Sequence, residues 1–333
     1  MSQSGAVARS PLEQLAAASG RPFPHLLRAR ETTREGLEAR RITLGQLSHD
    51  EDVAVVLMGS WGRAEVTSGS DDDFMVVVRG TDRHGVRPSI TEVESVLTEG
   101  HGDHGTFGER VASDELTGRI GLDEDTNTNL SRRMLLLLES VYATGRDLYE
   151  TVTAELVDRY LAESVKDLRV PRFLLNDVIR YWRTMCVDFA GKEHKGPEKW
   201  GIRNAKLRTS RKVLFAGGLL PVLECSKLPR DEMPDFLTRQ LRMPPTDRIA
   251  QAFLTYDASD AGGRALGAYD DFLGHLDDDE FRAELESVTR DTSKESAAFQ
   301  DAGRLGKDLE RGLLALLFET ESLPKLARDY VVF

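Results

Sequence analysis

The chain has 333 residues with 44 Lys and Arg against 56 Asp and Glu, a formal net charge of −12, and is 40% hydrophobic and 30% charged. That length allows one large domain or two ordinary ones, and the acidic balance argues against a bulk nucleic-acid binder, which needs excess cations to displace counterions. No apolar run approaches the roughly 18 residues of a membrane span, and the two cysteines, Cys186 and Cys225, sit in no metal-ligand or disulfide framework spacing.

The N-terminus lacks the basic-then-apolar order of a signal peptide, so a cytoplasmic protein is expected. Residues 11–47 read as a polar-rich amphipathic helical segment. VAVVLM (Val53 to Met58) and FMVVV (Phe74 to Val78) are short, continuous apolar runs, the pattern of buried strands. The turn between them has room for a short helix over Trp61 to Thr67. Residues 106–121 are assigned one or two further strands. NTNLSRRMLLLLESVYATG then predicts one helix, capped by Asn127 or Asn129 and ended by Gly145. From Tyr149 onward nearly everything reads as helix. Leu175, Val178, Ile179, Trp182, Met185, Cys186 and Phe189 form a core-facing stripe, and Cys186 is read as a core thiol. The expected fold class is α/β (α+β): a helical segment over 1–45, a small mixed-sheet catalytic domain over 46–150, and a helical domain over 151–333.

The chemistry concentrates in GSWGRAEVTSGSDDDF. A strand ending at Gly59-Ser60 and followed by a short helix lets backbone approach a ligand closely and offers amides to phosphate oxygens. Eleven residues after Ser60 come Asp71, Asp72 and Asp73, directly before the second strand. In extended chain alternate side chains share a face, so Asp71 and Asp73 point together and Asp72 points away. Two carboxylates on one face beside a phosphate-binding turn are hard oxygen donors suited to Mg²⁺.

These residues resemble the signature of DNA polymerase β-like nucleotidyltransferases: Gly-Ser, a spacer, then Asp-x-Asp entering a strand. The resemblance implies that Gly59 and Ser60 hold a triphosphate and that Asp71 and Asp73 hold catalytic Mg²⁺. It also implies a third carboxylate on a later strand. Asp114, Asp123 and Asp125 are the candidates, and Asp114 in RVASDELTGRIG is the one chosen. Arg63 resembles the basic residue of protein-modifying members, and the run DEDTNTNLSRRMLLLLESVYATG resembles the segment after the catalytic sheet in bacterial PII-uridylyltransferase relatives.

Residues 192–212 carry eight Lys and Arg against two Glu, in contrast to the acidic stretch from Asp257 to Asp301. Laid on one helix, Arg203 and Lys206 line a flank, and the resemblance implies that such a helical domain supplies cations to the phosphates. Arg208, Arg211 and Lys212 point elsewhere, toward an acidic or polyanionic acceptor, and Arg180 and Arg183 are lesser candidates. His101 and His104 have a ligand-like spacing but lie among glycines and read as a loop. No P-loop is present. The expected activity is Mg²⁺-dependent transfer of a nucleotide from an NTP to a hydroxyl, of a protein side chain first and a small molecule second. The alternatives are a non-catalytic nucleotide-sensing module and a nucleotide second-messenger synthase.

Overall fold

The computed structural model describes residues 9–81, 85–97, 107–118, 120–121, 125–162, 165–196 and 198–332. The helical N-terminal stretch is two helices, α1 (Pro11–Ser19) and α2 (Pro24–Leu44). Ser10 and Glu13 form a capping box at the start of α1, and Gly20 in the left-handed region ends it. Then follow β1 (Val53–Met58), α3 (Ser60–Arg63), β2 (Phe74–Val78), α4 (Ile90–Val96), β3 (Glu109–Ala112) and α5 (Ser113–Thr117). The predicted helix over 127–145 is instead α6 (Asn127–Leu138) followed by β4 (Ser140–Tyr142). Thr126 rather than an Asn caps α6, its hydroxyl accepting from the Asn129 N–H at 3.1 Å. The helix stops because Ser140–Tyr142 pair with the open edge of β1, and a three-residue strand has no period of its own to read.

The remainder among the described residues is helical: α7 (Arg146–Leu161), α8 (Arg172–Lys195), α9 (Trp200–Arg208), α10 (Ser210–Glu224), α11 (Met233–Arg242) and α12 (Pro245–Thr255), then α13 (Ser259–Leu276), α14 (Asp279–Ser287), α15 (Ala297–Glu319) and α16 (Leu323–Ala327). This is a mixed α/β fold with a large helical region.

The sheet order is β3-β2-β1-β4, with β1 antiparallel to β2 and β4, and β2 parallel to β3. Both faces are covered, which is why β1 and β2 read as unbroken apolar runs. Ala54, Val56, Met58, Met75, Val77 and Val111 face the main core with the helical region. Val53, Val55, Leu57, Phe74, Val76 and Val78 face a smaller core with Leu44 and Trp61. The main core runs from Leu12 to Leu323 without a break at residue 150. The change there is in secondary structure, and the packing continues across it. No helix among the described residues is long and apolar enough to cross a membrane.

Candidate functional site

The Gly-Ser turn forms where β1 leaves the sheet. The Met58 N–H donates to the Asp73 carbonyl at 2.8 Å, the last rung before the strands part. Gly59 then adopts φ +66 and ψ −124, a conformation that a side chain strains. A Cβ at Gly59 would lie 3.1 Å from Asp73 Oδ2, so the bare backbone of the turn and the Asp73 carboxylate are neighbours. Half-buried Ser60 opens α3, a single turn ending at Arg63.

The three aspartates divide as strand alternation requires. Asp71 is exposed, Asp73 half-buried and Asp72 fully buried. Asp72 points to the smaller core, where Arg40 of α2 donates to it twice, Nε to Oδ1 at 2.8 Å and Nη2 to Oδ2 at 2.9 Å. The Arg40 guanidinium lies over the Trp61 ring at 4.0 Å, and Trp61 Nε1 donates to the Asp71 carbonyl at 3.2 Å. Asp72 is therefore an anchor that fixes the backbone between the two outward carboxylates.

Asp114 does not belong to this constellation. Ala112 pairs with Val78 and the Asp114 N–H donates to the Gly80 carbonyl at 3.2 Å. Asp114 thus lies past the C-terminal ends of β2 and β3, whereas Asp71 and Asp73 precede their N-terminal ends. The separation is about five residues of strand, ~16 Å at ~3.3 Å per residue. The acid on the right strand is Glu109, which pairs with Met75 and so shares the face of Asp73. Sequence reading missed it because β3 is four residues long and half polar. Asp125 is engaged elsewhere, with Arg133, and Asp123, His101 and His104 lie outside the described residues. Among the described residues, no three His, Cys, Asp or Glu side chains are already gathered closely enough to hold a metal. Asp71 and Asp73 nevertheless offer hard oxygens at an open edge, in contact with a turn whose backbone can approach phosphate. Those donors fit Mg²⁺.

Beneath the turn is a buried ionic network. Arg63 Nε donates to Glu65 Oε2 at 2.9 Å and its Nη1 to Glu139 Oε2. Glu139 also receives Tyr181 from α8 at 3.1 Å and Arg211 from α10 at 3.3 Å, while Tyr269 of α13 donates to Glu65 at 2.7 Å. The Glu139 carbonyl accepts the Gly59 N–H at 3.1 Å, which ties the network to the turn. Burial opposes the Arg63 charge, but Glu139 and Glu65 outweigh it and raise its pKa. Burial raises the Glu65 pKa, with Arg63 opposing. Arg63, expected to meet phosphate, is thus committed to two carboxylates and supports the turn from within.

The cation that acts on Asp71 comes from the helical region: Lys206 on α9, an exposed residue. Burial, with Arg211 and Arg63, lowers its pKa to about 8 against the pull of Asp71. Arg211 was expected to point away because residues 200–214 were laid on one helix. The helix breaks at Thr209 (φ −123, ψ −89), α10 starts in a new direction, and Arg211 arrives at Glu139. Arg203 is not brought in: its Nη1 donates to the Glu198 carbonyl at 3.1 Å, at the start of its own helix.

The junction of α13 and α14 holds the loop before Asp71. Asp277 Oδ1 accepts the Ser68 N–H at 3.1 Å, and Arg282 Nη2 donates to Ser68 Oγ at 3.2 Å. Arg282 Nη1 fills the space that a side chain at Gly69 would need, 1.3 Å from an ideal Cβ. Nothing local marks these residues; only their encounter across 200 residues of chain reveals them.

No protein-family model matches this chain, and no curated protein matches it.

Proposed function

We propose that this protein is a Mg²⁺-dependent nucleotidyltransferase, moving a nucleotide from an NTP to an acceptor hydroxyl with release of pyrophosphate. The observation that carries the reading is the meeting of three parts at one edge. These are the Gly59-Ser60 turn against Asp73, the exposed Asp71 that precedes it by two residues, and Lys206 within electrostatic reach of Asp71. Asp71 and Asp73 would hold the metal, with Glu109 the third carboxylate of that face. When bound, Mg²⁺ neutralises phosphate charge and activates an attacking hydroxyl.

The chain's own groups do the rest. Gly59 lets phosphate oxygens reach backbone, and Ser60 donates a hydroxyl there. Lys206 and Arg211 offset negative charge at the leaving pyrophosphate. The Arg63 network holds the turn, and Asp72 with Arg40 holds the aspartates in register. The acceptor hydroxyl is assigned to a protein side chain in first place and to a small molecule in second. A second reading is a nucleotide sensor without turnover, built on the same turn and aspartates.

Incubation with each radiolabelled NTP and Mg²⁺, comparing wild type with Asp71→Asn and Asp73→Asn, tests the reading. Self-labelling or pyrophosphate release that falls roughly 100- to 1,000-fold in both variants is expected, the size of losses when a charge-stabilising group is removed. Because Asp71 is exposed, its variant should keep the wild-type melting temperature. Nucleotide binding with no pyrophosphate release would support the sensor instead, and turnover indifferent to both aspartates would sink the transferase.

A further inference from the structure

Trp182 on α8 and Phe215 on α10 stack with ring centroids 5.5 Å apart and planes 30° apart. Trp182 belongs to the predicted core-facing stripe, in which Leu175 and Val178 are buried as expected. Trp182 itself is only half-buried and is part of neither apolar core, whereas Phe215 packs against the main one. The indole thus continues an aromatic surface outward from the core, instead of completing it. A large aromatic left partly exposed offers a rigid flat face at little entropic cost.

The location gives that face a partner. Tyr181, the residue before Trp182, donates to Glu139. Arg211 reaches Glu139 too, and Phe215 follows Arg211 by four residues, one helical turn of ~5.4 Å along the same face. The aromatic pair therefore stands about one turn from Arg211, whose charge acts on Lys206 together with that of Asp71. A ligand with a polyanionic end and a planar end, separated by a few ångströms, matches that arrangement.

We propose that Trp182, backed by Phe215, is the platform on which the base of the bound nucleotide stacks. This rests on the nucleotidyltransferase reading and adds to it the place of the base. The residues around the phosphates recognise charge alone, whereas the indole accepts any base through its π face. Stacking of this kind contributes roughly tenfold in affinity, by a few-fold either way.

The 333-residue chain is titrated with MgATP and, separately, with magnesium tripolyphosphate, which has the charge but no base. Wild type, Trp182→Ala and Trp182→Phe are compared by calorimetry and by indole fluorescence. The expected result is that Trp182→Ala weakens MgATP about tenfold and leaves tripolyphosphate unchanged. Trp182→Phe should restore most of the ATP affinity, and ATP-induced quenching should be lost in both variants. Equal weakening of both probes, or no change in either, overturns the platform while leaving the transferase reading standing. Failure of the wild type to bind either probe in an Asp71-dependent manner overturns both together.

Discussion

Two buried arginines in this protein are surrounded by carboxylates and tyrosines, and they are arranged to different ends. Arg133 on α6 donates to Asp125 at 2.8 and 2.7 Å and to the Tyr160 hydroxyl at 3.1 Å, while Tyr160 donates to Asp177 at 2.8 Å. Arg180, a sequence candidate for ligand binding, is spent on Asp177 at 3.0 Å. Each cluster has one outer arginine, Arg180 at 37% and Arg211 at 36% side-chain exposure. They differ in what the cluster holds. The Arg133 cluster, whose central side chain is 0% exposed, ties α6, α7 and α8 together. The Arg63 cluster uses the same chemistry under the Gly-Ser turn, where the Glu139 carbonyl accepts the Gly59 N–H. The same residue types can thus serve folding or support a candidate site, and the backbone they attach to decides which.

The largest effect that would test this contrast is on stability. Arg133→Ala leaves Asp125 buried without its cation and Asp177 with Arg180 alone, at a cost of about 3–5 kcal/mol. Urea denaturation should show it, while nucleotide turnover per folded molecule stays near wild type. A loss below about 1 kcal/mol would mean that the Arg133 cluster does not hold the fold.

Arg211→Ala should invert that pattern. Its partial exposure limits the stability loss to about 1 kcal/mol or less. Apparent nucleotide affinity and transfer should fall on the order of tenfold or more. A variant that melts early but turns over normally would remove the distinction between the clusters.

A smaller effect is expected where the helical region grips the loop before Asp71. Gly69→Ala places a methyl where Arg282 Nη1 lies, and expulsion of that side chain should cost about 1 kcal/mol and slow transfer. The Gly69→Ala/Arg282→Ala double variant should be little worse than either single one, because both remove one contact. Additive losses would show that Gly69 and Arg282 act separately.

The mildest expected effect is a pH dependence. A lysine whose pKa is lowered to about 8 is charged below that pH and neutral above it. Phosphate binding should therefore be flat below pH 8 and weaken as pH rises through it. Lys206→Arg, charged throughout, should flatten the curve between pH 7 and 10 in a calorimetric titration. The same downturn in the arginine variant would assign the pH dependence to another group.

How much of this was legible beforehand follows from the range over which each feature is set. β1, β2 and the division of Asp72 from Asp71 and Asp73 depend on nearest neighbours: continuous apolar runs, and a side-chain alternation that holds wherever the chain is extended. The Gly59-Ser60 turn was legible for the same reason. β4 was hidden inside a helical pattern, because only the open edge of β1 makes Ser140–Tyr142 a strand. Glu109 is not among the acids the sequence offers, because its place on the face of Asp73 depends on the parallel register of β3 against β2, which no local signal carries.

Charged side chains were the least legible part. Arg63, Arg203, Lys206 and Arg211 all read as cations near a site, yet Arg63 is enclosed by Glu65 and Glu139, and Arg203 turns back to Glu198. A charge on a helix looks the same in sequence whether it is solvated, paired or poised, since its partner is chosen by proximity across the fold. The sequence by itself determined the carboxylate edge, the turn beside it and the helical character of the rest. Tertiary structure alone decided which cations meet that edge, which acid shares its face, and that Trp182 stands outside the core, because each depends on contacts between segments far apart along the chain.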